Sequence, residues 1–444
     1  MTDAQLAELF ASIDAGRLVL ICGAGLSMGE PSRTPGAREL ADDCVQRYQP
    51  EAVPPEIQHN LEQLADFFLF SPPLRAIFRD RLVDWSRFNG VPNSGHVAVA
   101  DFLACGAATA AITTNFDMLV EEASKQLGDR AFQATVETDE AHRHSDHRPL
   151  LKIHGCMGRN RDQILWSRNQ IEGMHPDPPL AARITAWRTW MAANLQGRDL
   201  VIVGFWTDWA YLNSVLEGVL DGTNPALIYL VNPGPAEELE QKAPGLWSIS
   251  HRNGVFFRHV QQTGTEFLRN LRNSFNRKFF EHTLHRSISA FKAITGSTVD
   301  PAVDVLPAAA NSEDLYDLRR DICGVPAGHV VRELKPKPHM EVIGATHLRL
   351  QARGAILSGA RYRISDGTTV RVVNGAGRVM SMVRAEFTKR QPQTIGKEIV
   401  ICDAQEDGNA PANIMRESTA ATVVRTGTTA EWMTLQAATT RGLL

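Results

Sequence analysis

The sequence predicts an α/β fold in which a doubly wound parallel sheet is followed by a smaller β-rich domain. Short apolar runs bounded by Gly, Pro or Asn alternate with helical patterns along most of the chain, which is typical of parallel strands joined by helices. Glycine and polar residues follow several of these runs directly. Strand-like alternation replaces the helical patterns only towards the C-terminus, which indicates a second domain.

Six apolar runs are the candidate strands of the parallel sheet. Each is short and continuous because strands of such a sheet are buried on both faces. The runs occupy residues 18–22, 110–113, 150–153, 200–203, 227–231 and 255–257. Helical patterns lie between them, for example over residues 180–195 and 209–220. This order predicts a Rossmann-like domain over residues 1–285, whose ligands bind beyond the carboxyl ends of the strands.

The segment between the first and second runs is too long for one crossover helix, so we predict a helical insertion over residues 36–103. Two stripes of apolar residues at helical spacing support it, and core packing is the commoner role of such stripes. The stripes are Ile57, Leu61, Leu64 and Phe68, and Leu74, Ile77, Phe78 and Leu82.

The C-terminal part of the chain has a different pattern. Residues 295–310 are rich in Ala, Pro, Ser and Thr, and we interpret residues 286–340 as a linker and connecting segment. A β-rich domain is predicted over residues 341–444, where the alternation around Asp366 and Gly367 indicates a hairpin. This domain is a candidate for regulation through oligomer assembly, a partner surface or a signal ligand, and the sequence does not choose among these.

Composition excludes several classes of protein. Lys and Arg total 46 and Asp and Glu total 50, and a net charge of −4 does not favour direct binding to nucleic acid. The chain has neither a secretory signal nor an apolar run long enough to span a membrane, so a cytoplasmic location is expected. The six cysteines are scattered without a CxxC pair, which favours neither a disulfide framework nor a thiolate zinc site. The His-rich residues 142–147 are interpreted as a polar loop.

A glycine pair follows the first apolar run in the motif GAGLS, residues 23–27. Glycine there lets the backbone approach a pyrophosphate, and the N–H groups of the following helix supply an anion site. The spacing departs from GxGxxG because Met28 stands in place of the third glycine. A tight turn that needs glycine only for its backbone angles is the alternative.

Polar residues stand at the ends of the second and third runs. The motif TTNFD, residues 113–117, places Thr114, Asn115 and Asp117 where a ligand crevice is expected. Asp117 could instead cap the following helix. The motif KIHG, residues 152–155, places His154 beside the same crevice, and histidine suits general-base chemistry near neutral pH. A buried histidine with a backbone partner is the alternative.

The fourth and fifth runs end in further candidate ligand contacts. The motif VGFWTDW, residues 203–209, carries Gly204, Phe205 and Asp208, and the motif YLVNP, residues 229–233, carries Asn232. Ordinary strand-to-helix turn chemistry would explain the same residues.

The five motifs occur in one order, each at the end of a strand, and that conjunction resembles the sirtuin-like NAD-binding domain. The resemblance covers roughly residues 10–280 and is closer to the divergent bacterial branch found in anti-phage defence proteins. It implies that Asn115 orients the nicotinamide ribose and the attacking water. It further implies that Asp117 holds the ribose or nicotinamide side and that His154 is the base at the ribose hydroxyls.

The same resemblance implies the contacts that NAD makes with the rest of the crevice. The phosphates would lie on the glycine motif and the adenosine half on the fourth and fifth strand ends. The cofactor-binding residues implied in this way are Gly23, Ala24, Gly25, Ser27, Thr114, Gly204, Phe205, Asp208 and Asn232.

Two departures from the deacylating sirtuins bear on the reaction. Those enzymes carry a four-cysteine zinc module after the histidine motif, whereas residues 155–200 here contain only Cys156, so no metal is expected. Their GxPDFR loop is replaced by Gly29-Glu30-Pro31-Ser32-Arg33. Both departures favour hydrolysis of NAD by water over deacylation of acyl-lysine.

The resemblance therefore implies an NAD+ glycohydrolase (NADase) that uses NAD as its substrate and is restrained until infection. A homo-oligomer, a co-encoded defence protein or both are the expected partners. An NAD-dependent protein deacylase and a non-enzymatic NAD or ADP-ribose sensor remain as alternatives. Asn115 and His154 together argue against the sensor, because binding alone does not need that pair.

Overall fold

The computed structural model describes residues 1–130, 132, 134–136, 138, 148–171, 178–204, 213, 216–217, 226–297, 311–388, 397–407 and 430–444. It divides into two compact units, Met1–Leu271 and Arg272–Leu444.

The first unit is built on a six-stranded parallel sheet, which confirms the predicted fold class. Its strands are β1 Leu18–Cys22, β2 Ala110–Thr113, β3 Leu150–Lys152, β4 Asp199–Val203, β5 Ala226–Val231 and β6 Val255–Val260. Their spatial order is β3-β2-β1-β4-β5-β6. The strand order reverses at β1, which pairs with β2 on one side and β4 on the other, so a ligand crevice is expected at the carboxyl ends of these strands.

Helices surround this sheet. They are α1 Asp3–Asp14, α2 Ala37–Tyr48, α3 Leu61–Leu69, α4 Pro72–Ile77, α5 Ser94–Cys105, α6 Leu119–Leu127, α7 Arg168–Ile171, α8 Pro178–Asn194, α9 Ala236–Lys242 and α10 Pro244–Ser250. Local chemistry sets some of their ends: Thr2 and Gln5 form a capping box on α1, and Gly106 closes α5 in the left-handed region at φ 78°.

The insertion between β1 and β2 has its own apolar core. Leu64, Phe68, Phe78 and Leu82 from the two predicted stripes are buried, as core packing predicts. Trp166, which lies beyond β3, is buried in the same cluster. The insertion therefore packs directly against the loop that follows the KIHG motif.

The second unit contains a separate mixed sheet. After α11 Gly264–Thr295 come α12 Ser312–Cys323, α13 Glu341–Ala352, β7 Ile356–Ser358, β8 Arg361–Arg363, β9 Thr369–Val379, α14 Met380–Thr388, β10 Glu398–Gln405, β11 Glu431–Thr434 and α15 Leu435–Thr440. The sheet order is β11-β10-β9-β8-β7, with β9, β10 and β11 parallel.

The hairpin predicted around Asp366 and Gly367 is present. Strands β8 and β9 pair antiparallel, with Tyr362 opposite Val370. In the turn Gly367 has φ 81°, and the Asp366 carboxylate accepts from the Thr368 N–H at 2.8 Å.

Residues 286–340, predicted as a linker and connecting segment, contain helix as well as turns and coil among the described residues. Helix α11 continues to Thr295, and α12 occupies Ser312–Cys323. Both helices bury apolar side chains within the second unit, among them Phe280 and Leu318. Composition suggested a linker because the Ala- and Pro-rich residues 295–310 dominate the local average, although the flanking residues keep helical apolar spacing.

Several predicted features lie outside the described residues. They are most of the helix at residues 209–220, the polar loop at residues 142–147 and most of the Ala- and Pro-rich stretch. Within the described part of the chain, no helix combines the length and apolarity needed to cross a membrane.

Candidate functional site

A cavity of about 570 Å³ opens at the carboxyl edge of the first unit's sheet. Its size falls within the roughly 300–1,000 Å³ range of small-molecule sites. The ends of β1, β2, β3 and β4 all contribute to its lining. The predicted site residues that line it are Ala24, Gly25, Thr114, Asn115, Asp117, His154 and Gly204.

The glycine turn after β1 is held against the end of β4. Gly25 N–H donates to the Gly204 carbonyl at 3.1 Å. A Cβ on Gly25 would lie 2.8 Å from Gly204 Cα, so no side chain fits there. Gly204 itself has φ 63°. Glycine is thus required for a close approach between two backbones, and the same approach leaves Ala24 and Gly25 bordering the cavity.

One amide of this turn remains available to a ligand. The N–H groups of Gly23, Leu26 and Ser27 all donate to backbone carbonyls. Among the described residues, the Ala24 N–H has no such acceptor. It is the turn's available donor for an anionic oxygen.

The Asn115 side chain has a fixed orientation. Its Nδ2 donates to the Gly23 carbonyl and to Ser27 Oγ, both at 3.1 Å. The Gly23 carbonyl can only accept, so the amide nitrogen must lie on that side. Asn115 Oδ1 then has no protein partner in the described part of the chain and can accept a hydrogen bond from water in the cavity.

Behind Asn115, hydrogen bonds connect His96, Ser27 and Asp117, and their directions are determined. His96 Nδ1 accepts from the Asn93 N–H at 3.2 Å, so the neutral imidazole carries its proton on Nε2. That Nε2 donates to Ser27 Oγ at 3.0 Å, and Ser27 donates to Asp117 Oδ2 at 2.9 Å. Burial lowers the pKa of His96 to about 4, which keeps the ring neutral near pH 7.

Asp117 serves two structural partners while it lines the cavity. Its Oδ2 accepts from Ser27, and its Oδ1 accepts from the Leu119 N–H at 3.0 Å at the start of α6. The second contact satisfies the N–H of the first residue of α6, although Met118 and not Asp117 occupies the N-cap position. Both carboxylate oxygens are therefore held in place before any ligand binds.

His154 lies at the tip of β3 and is buried, with 6% of its surface exposed. Burial, helped by the nearby Arg183 charge, lowers the pKa of His154 to about 3. The ring is therefore neutral at physiological pH. Its backbone carbonyl accepts from the Leu165 N–H at 2.9 Å, which anchors the following loop.

Aromatic side chains form the apolar wall of the cavity. The Phe116 ring packs against Phe88 at a centroid distance of 4.8 Å and against Trp166 at 4.9 Å. Phe88 belongs to the helical insertion, and Trp166 follows the KIHG motif. This wall offers a surface for a flat apolar ring.

Not every predicted cofactor residue reaches the cavity. Ser27 is 1% exposed and its hydroxyl is occupied by protein partners, so it supports Asn115 and Asp117 where a phosphate contact was expected. Asn232 is also 1% exposed and does not line the cavity; its Oδ1 accepts from the Gly234 N–H at 2.7 Å. Phe205 and Asp208 lie outside the described residues.

The structure adds two residues that the sequence did not single out. His96 belongs to the buried network, and the capping pair Asn93 and His96 at the start of α5 is its sequence signal. Arg38 lines the cavity from the first turn of α2 and is exposed. A lone arginine in an amphipathic helix carries no such signal, since a solvated charge gives the same pattern.

The described residues contain neither a disulfide bond nor a metal site. All six cysteines are buried, and none of them forms a disulfide bond. No group of three or more His, Cys, Asp or Glu side chains within the described ranges could hold a metal ion.

A family model matches part of the chain. Residues 109–250 match the SIR2-like domain, a range that includes the TTNFD and KIHG motifs. A comparison with curated proteins finds no similar sequence.

Solved structures of Sir2 proteins are similar to the chain at low identity. A Sir2 complex with a p53 peptide and NAD+ is 15% identical, with a TM-score of 0.36, and the match covers 62% of this chain and 98% of that one. A mutant Sir2 homologue with 2′-O-acetyl ADP-ribose is 18% identical, with a TM-score of 0.35, and the match covers 61% and 95%. A Sir2 homologue mutant with ADP-ribose is 17% identical, with the same TM-score of 0.35 and the same coverage of 61% and 95%.

The resemblance read from the motifs therefore agrees with the family match and with the observed sheet order. The SIR2-like match indicates NAD-dependent activity in general. Residues 109–250, which lie in the first unit, are therefore similar to the SIR2-like domain.

Proposed function

We propose that the protein is an NAD+ glycohydrolase that hydrolyses NAD to nicotinamide and ADP-ribose. The observation that carries the proposal is that Asn115, Asp117 and His154 line one cavity together with the glycine turn at Ala24 and Gly25. A positioned amide, a neutral imidazole and a donor for anionic oxygen are what hydrolysis of a ribosyl–pyridinium bond requires.

In the proposed reaction, water attacks C1′ of the nicotinamide ribose. The bond from C1′ to the pyridinium nitrogen breaks, its electron pair neutralises that nitrogen, and nicotinamide leaves. Asn115 Oδ1 accepts a hydrogen bond from the attacking water, and the proton that this water loses as the new C–O bond forms passes to the surrounding solvent. His154, neutral because burial lowers its pKa, accepts a hydrogen bond from a ribose hydroxyl.

The aromatic wall favours the same reaction. Phe88, Phe116 and Trp166 keep bulk water from one face of the ribose, so positive charge develops at C1′ in a protected space. Water must then approach along the side where Asn115 lies. A flat nicotinamide ring also matches an aromatic surface.

Two sequence features support hydrolysis over deacylation. Cys156 is the sole cysteine of residues 155–200, and the loop at residues 29–33 lacks the Asp-Phe pair of the deacylating sirtuins. For biological role we propose an anti-phage effector, because the motifs resemble that branch. The second unit would restrain the enzyme through assembly or a partner, since depletion of NAD is toxic.

The test is incubation of the full chain with NAD, alone and with the products of neighbouring genes, followed by product analysis. We expect nicotinamide and ADP-ribose in equal amounts. Formation of O-acyl-ADP-ribose from an acylated peptide would identify a deacylase instead. Saturable NAD binding without turnover under all conditions would identify a sensor.

The biological part needs a separate experiment. Cells that express the wild-type chain should lose NAD after phage infection, and cells that express Asn115→Ala should keep it. If both lines keep their NAD and are equally sensitive to phage, the anti-phage role is wrong, whatever the purified protein does.

A further inference from the structure

Lys152 is a buried charged residue next to the candidate site that has no role in the reaction proposed above. It ends β3 two residues before His154 and is 1% exposed. Its ammonium donates to the backbone carbonyl of Asp117 and to Glu121 Oε1, the latter at 2.9 Å. One side chain of β3 thus contacts both the loop after β2 and helix α6.

These contacts join the two segments that carry the proposed catalytic groups. Asn115 and Asp117 lie on the loop after β2, whereas His154 lies beyond β3. Strand pairing holds Thr113 beside Lys152, and past it the Met157 N–H donates to the Phe116 carbonyl at 2.9 Å. The Lys152 ammonium adds a direct side-chain link between β3 and the Asp117 backbone.

The charge on Lys152 persists in spite of burial. Desolvation lowers the pKa of Lys152, but the Glu121 carboxylate, with Cys156 and Asp117, outweighs it, so the pKa is raised overall. A buried ion pair of this kind is not needed for stability, because apolar residues of similar volume are often as stabilising. An apolar pair could not form the directional hydrogen bonds that Lys152 donates to Asp117 and Glu121.

A small second cavity completes the environment of this lysine. It measures about 10 Å³ and is lined by Lys152, Glu121, Asp117, His96 and Asn115, among others. That is close to the volume that one water occupies. Glu121 Oε2 is buried and has no partner among the described residues, and an ammonium has three N–H groups, of which two are used. One water would satisfy both groups.

We propose that Lys152 is a positioning residue that fixes Asn115 and Asp117 relative to His154. It acts through the Asp117 carbonyl, and Glu121 with one buried water completes its hydrogen bonding. The proposal rests on the proposed function for its kinetic consequence. Its geometric consequence, the placement of the loop at residues 114–117, is independent of the reaction.

The test compares the double variant Lys152→Met/Glu121→Leu with the wild-type chain. Removing both charges avoids leaving one buried charge unpaired, so the variant should fold. Without the Asp117 contact the loop shifts, and we expect kcat to fall about 10- to 100-fold while KM changes less than about threefold. A crystal structure should show the loop at residues 114–117 displaced from its wild-type position relative to β3.

Two further variants control for a purely structural effect. Arg17→Met/Asp199→Asn removes an ion pair at the amino ends of β1 and β4, far from the cavity at their carboxyl ends. This variant should leave kcat unchanged. Glu121→Gln keeps an oxygen acceptor for Lys152 and its bond to Asp117 but leaves the lysine charge unpaired, so it should lower stability while kcat per folded molecule stays within about threefold of wild type. It also serves if the double variant fails to fold: a folded Glu121→Gln protein with kcat lowered 10-fold or more would overturn the proposal.

The outcomes separate this proposal from the proposed function. If the wild-type chain does not cleave NAD, the proposed function is wrong, and the crystallographic position of the loop still decides the role of Lys152. Wild-type kcat in the double variant, or an undisplaced loop, shows that Lys152 does not position the site.

Discussion

Both units contain the sequence Gly-Ala-Gly, and the two copies have different surroundings. In the first unit it follows β1 at residues 23–25 and borders the cavity of about 570 Å³. In the second unit it lies at residues 375–377 within β9, a strand that pairs in parallel with β10. There Arg378 closes the segment by donating to the carbonyls of Gly375 at 2.9 Å and Gly324 at 2.6 Å.

Close backbone approach requires the glycine in both places. A Cβ on Gly25 would lie 2.8 Å from Gly204 Cα, and a Cβ on Gly375 would lie 2.1 Å from the Asp403 carbonyl oxygen. The difference is in the neighbouring polar groups. Ala376 N–H donates to Asn374 Oδ1 at 2.8 Å, whereas Ala24 N–H has no backbone acceptor among the described residues. A glycine pattern therefore indicates a close approach, and the polar groups that remain available indicate a ligand.

The largest expected effect concerns the strand-end side chains of the first unit. Asn115→Ala and His154→Ala should each lower NAD cleavage about 10²- to 10⁴-fold, because each removes a positioned group from the reaction. Circular dichroism and melting temperature should stay near wild type. As the matched control, Asn374→Ala should lower the stability of the second unit without lowering cleavage per folded molecule. Near wild-type turnover in either first-unit variant would show that the site is assigned wrongly.

The two glycine segments can be compared by the same substitution. Gly25→Ala should lower NAD binding and cleavage at least about 100-fold, because the added methyl separates the turn from β4 and displaces the cavity wall. Gly375→Ala should destabilise the second unit and leave NAD affinity unchanged. Gly377→Ala is the control, because a Cβ there meets no atom within 4 Å, although its φ of 77° should still cost about 1–2 kcal/mol. Equal loss of NAD affinity in Gly375→Ala would contradict the comparison.

A buried ion pair of the second unit provides a comparison with Lys152 and Glu121. Arg371 on β9 donates to both oxygens of Asp321 at 2.6 Å, and both side chains are at most 3% exposed. Arg371→Met leaves the Asp321 charge buried and should lower the free energy of unfolding by about 3–5 kcal/mol. Arg371→Met/Asp321→Leu should recover much of that loss. Denaturant unfolding, followed by hydrogen exchange of β9 and β10, measures these free energies. An Arg371→Met variant as stable as wild type would contradict the prediction.

Acid should destabilise both units, through histidines that are neutral when folded. Burial lowers the pKa of His96 to about 4 and that of His154 and His347 to about 3, from 6.5. The unfolded chain therefore binds more protons below pH 6.5, and stability falls as the pH drops from there towards 4. Each histidine should cost about 2 kcal/mol at pH 5.

The pH dependence of stability should differ between the two units, because His96 and His154 lie in the first unit and His347 lies in the second. The first unit should lose more stability in this range. Replacing His347 with Gln should flatten the pH dependence of the second unit alone. No change in unfolding free energy between pH 7 and pH 5 would contradict these assignments.

Much of the first unit could be predicted from local sequence. The six strands are short apolar runs whose burial on both faces requires continuous hydrophobicity, and all six are found where that pattern indicates. Asn115, Asp117 and His154 could be named because polar residues directly after such strands converge at one edge of the sheet. The helix Ser312–Cys323 could not be read from composition, because the Ala- and Pro-rich residues 295–310 dominate the local average.

The sequence by itself determined the parallel sheet, the helical insertion's apolar core, the hairpin and the strand-end side chains, since each depends on residues close together in the chain. Tertiary structure alone decided how the site is held. Ser27 accepts from a residue 69 positions away and donates to one 90 positions away, and Lys152 donates to residues 31 and 35 positions away. Which distant groups meet is set by the packing of the strand ends, so the orientation of Asn115, the tautomer of His96 and the burial of Lys152 are visible only in the folded chain.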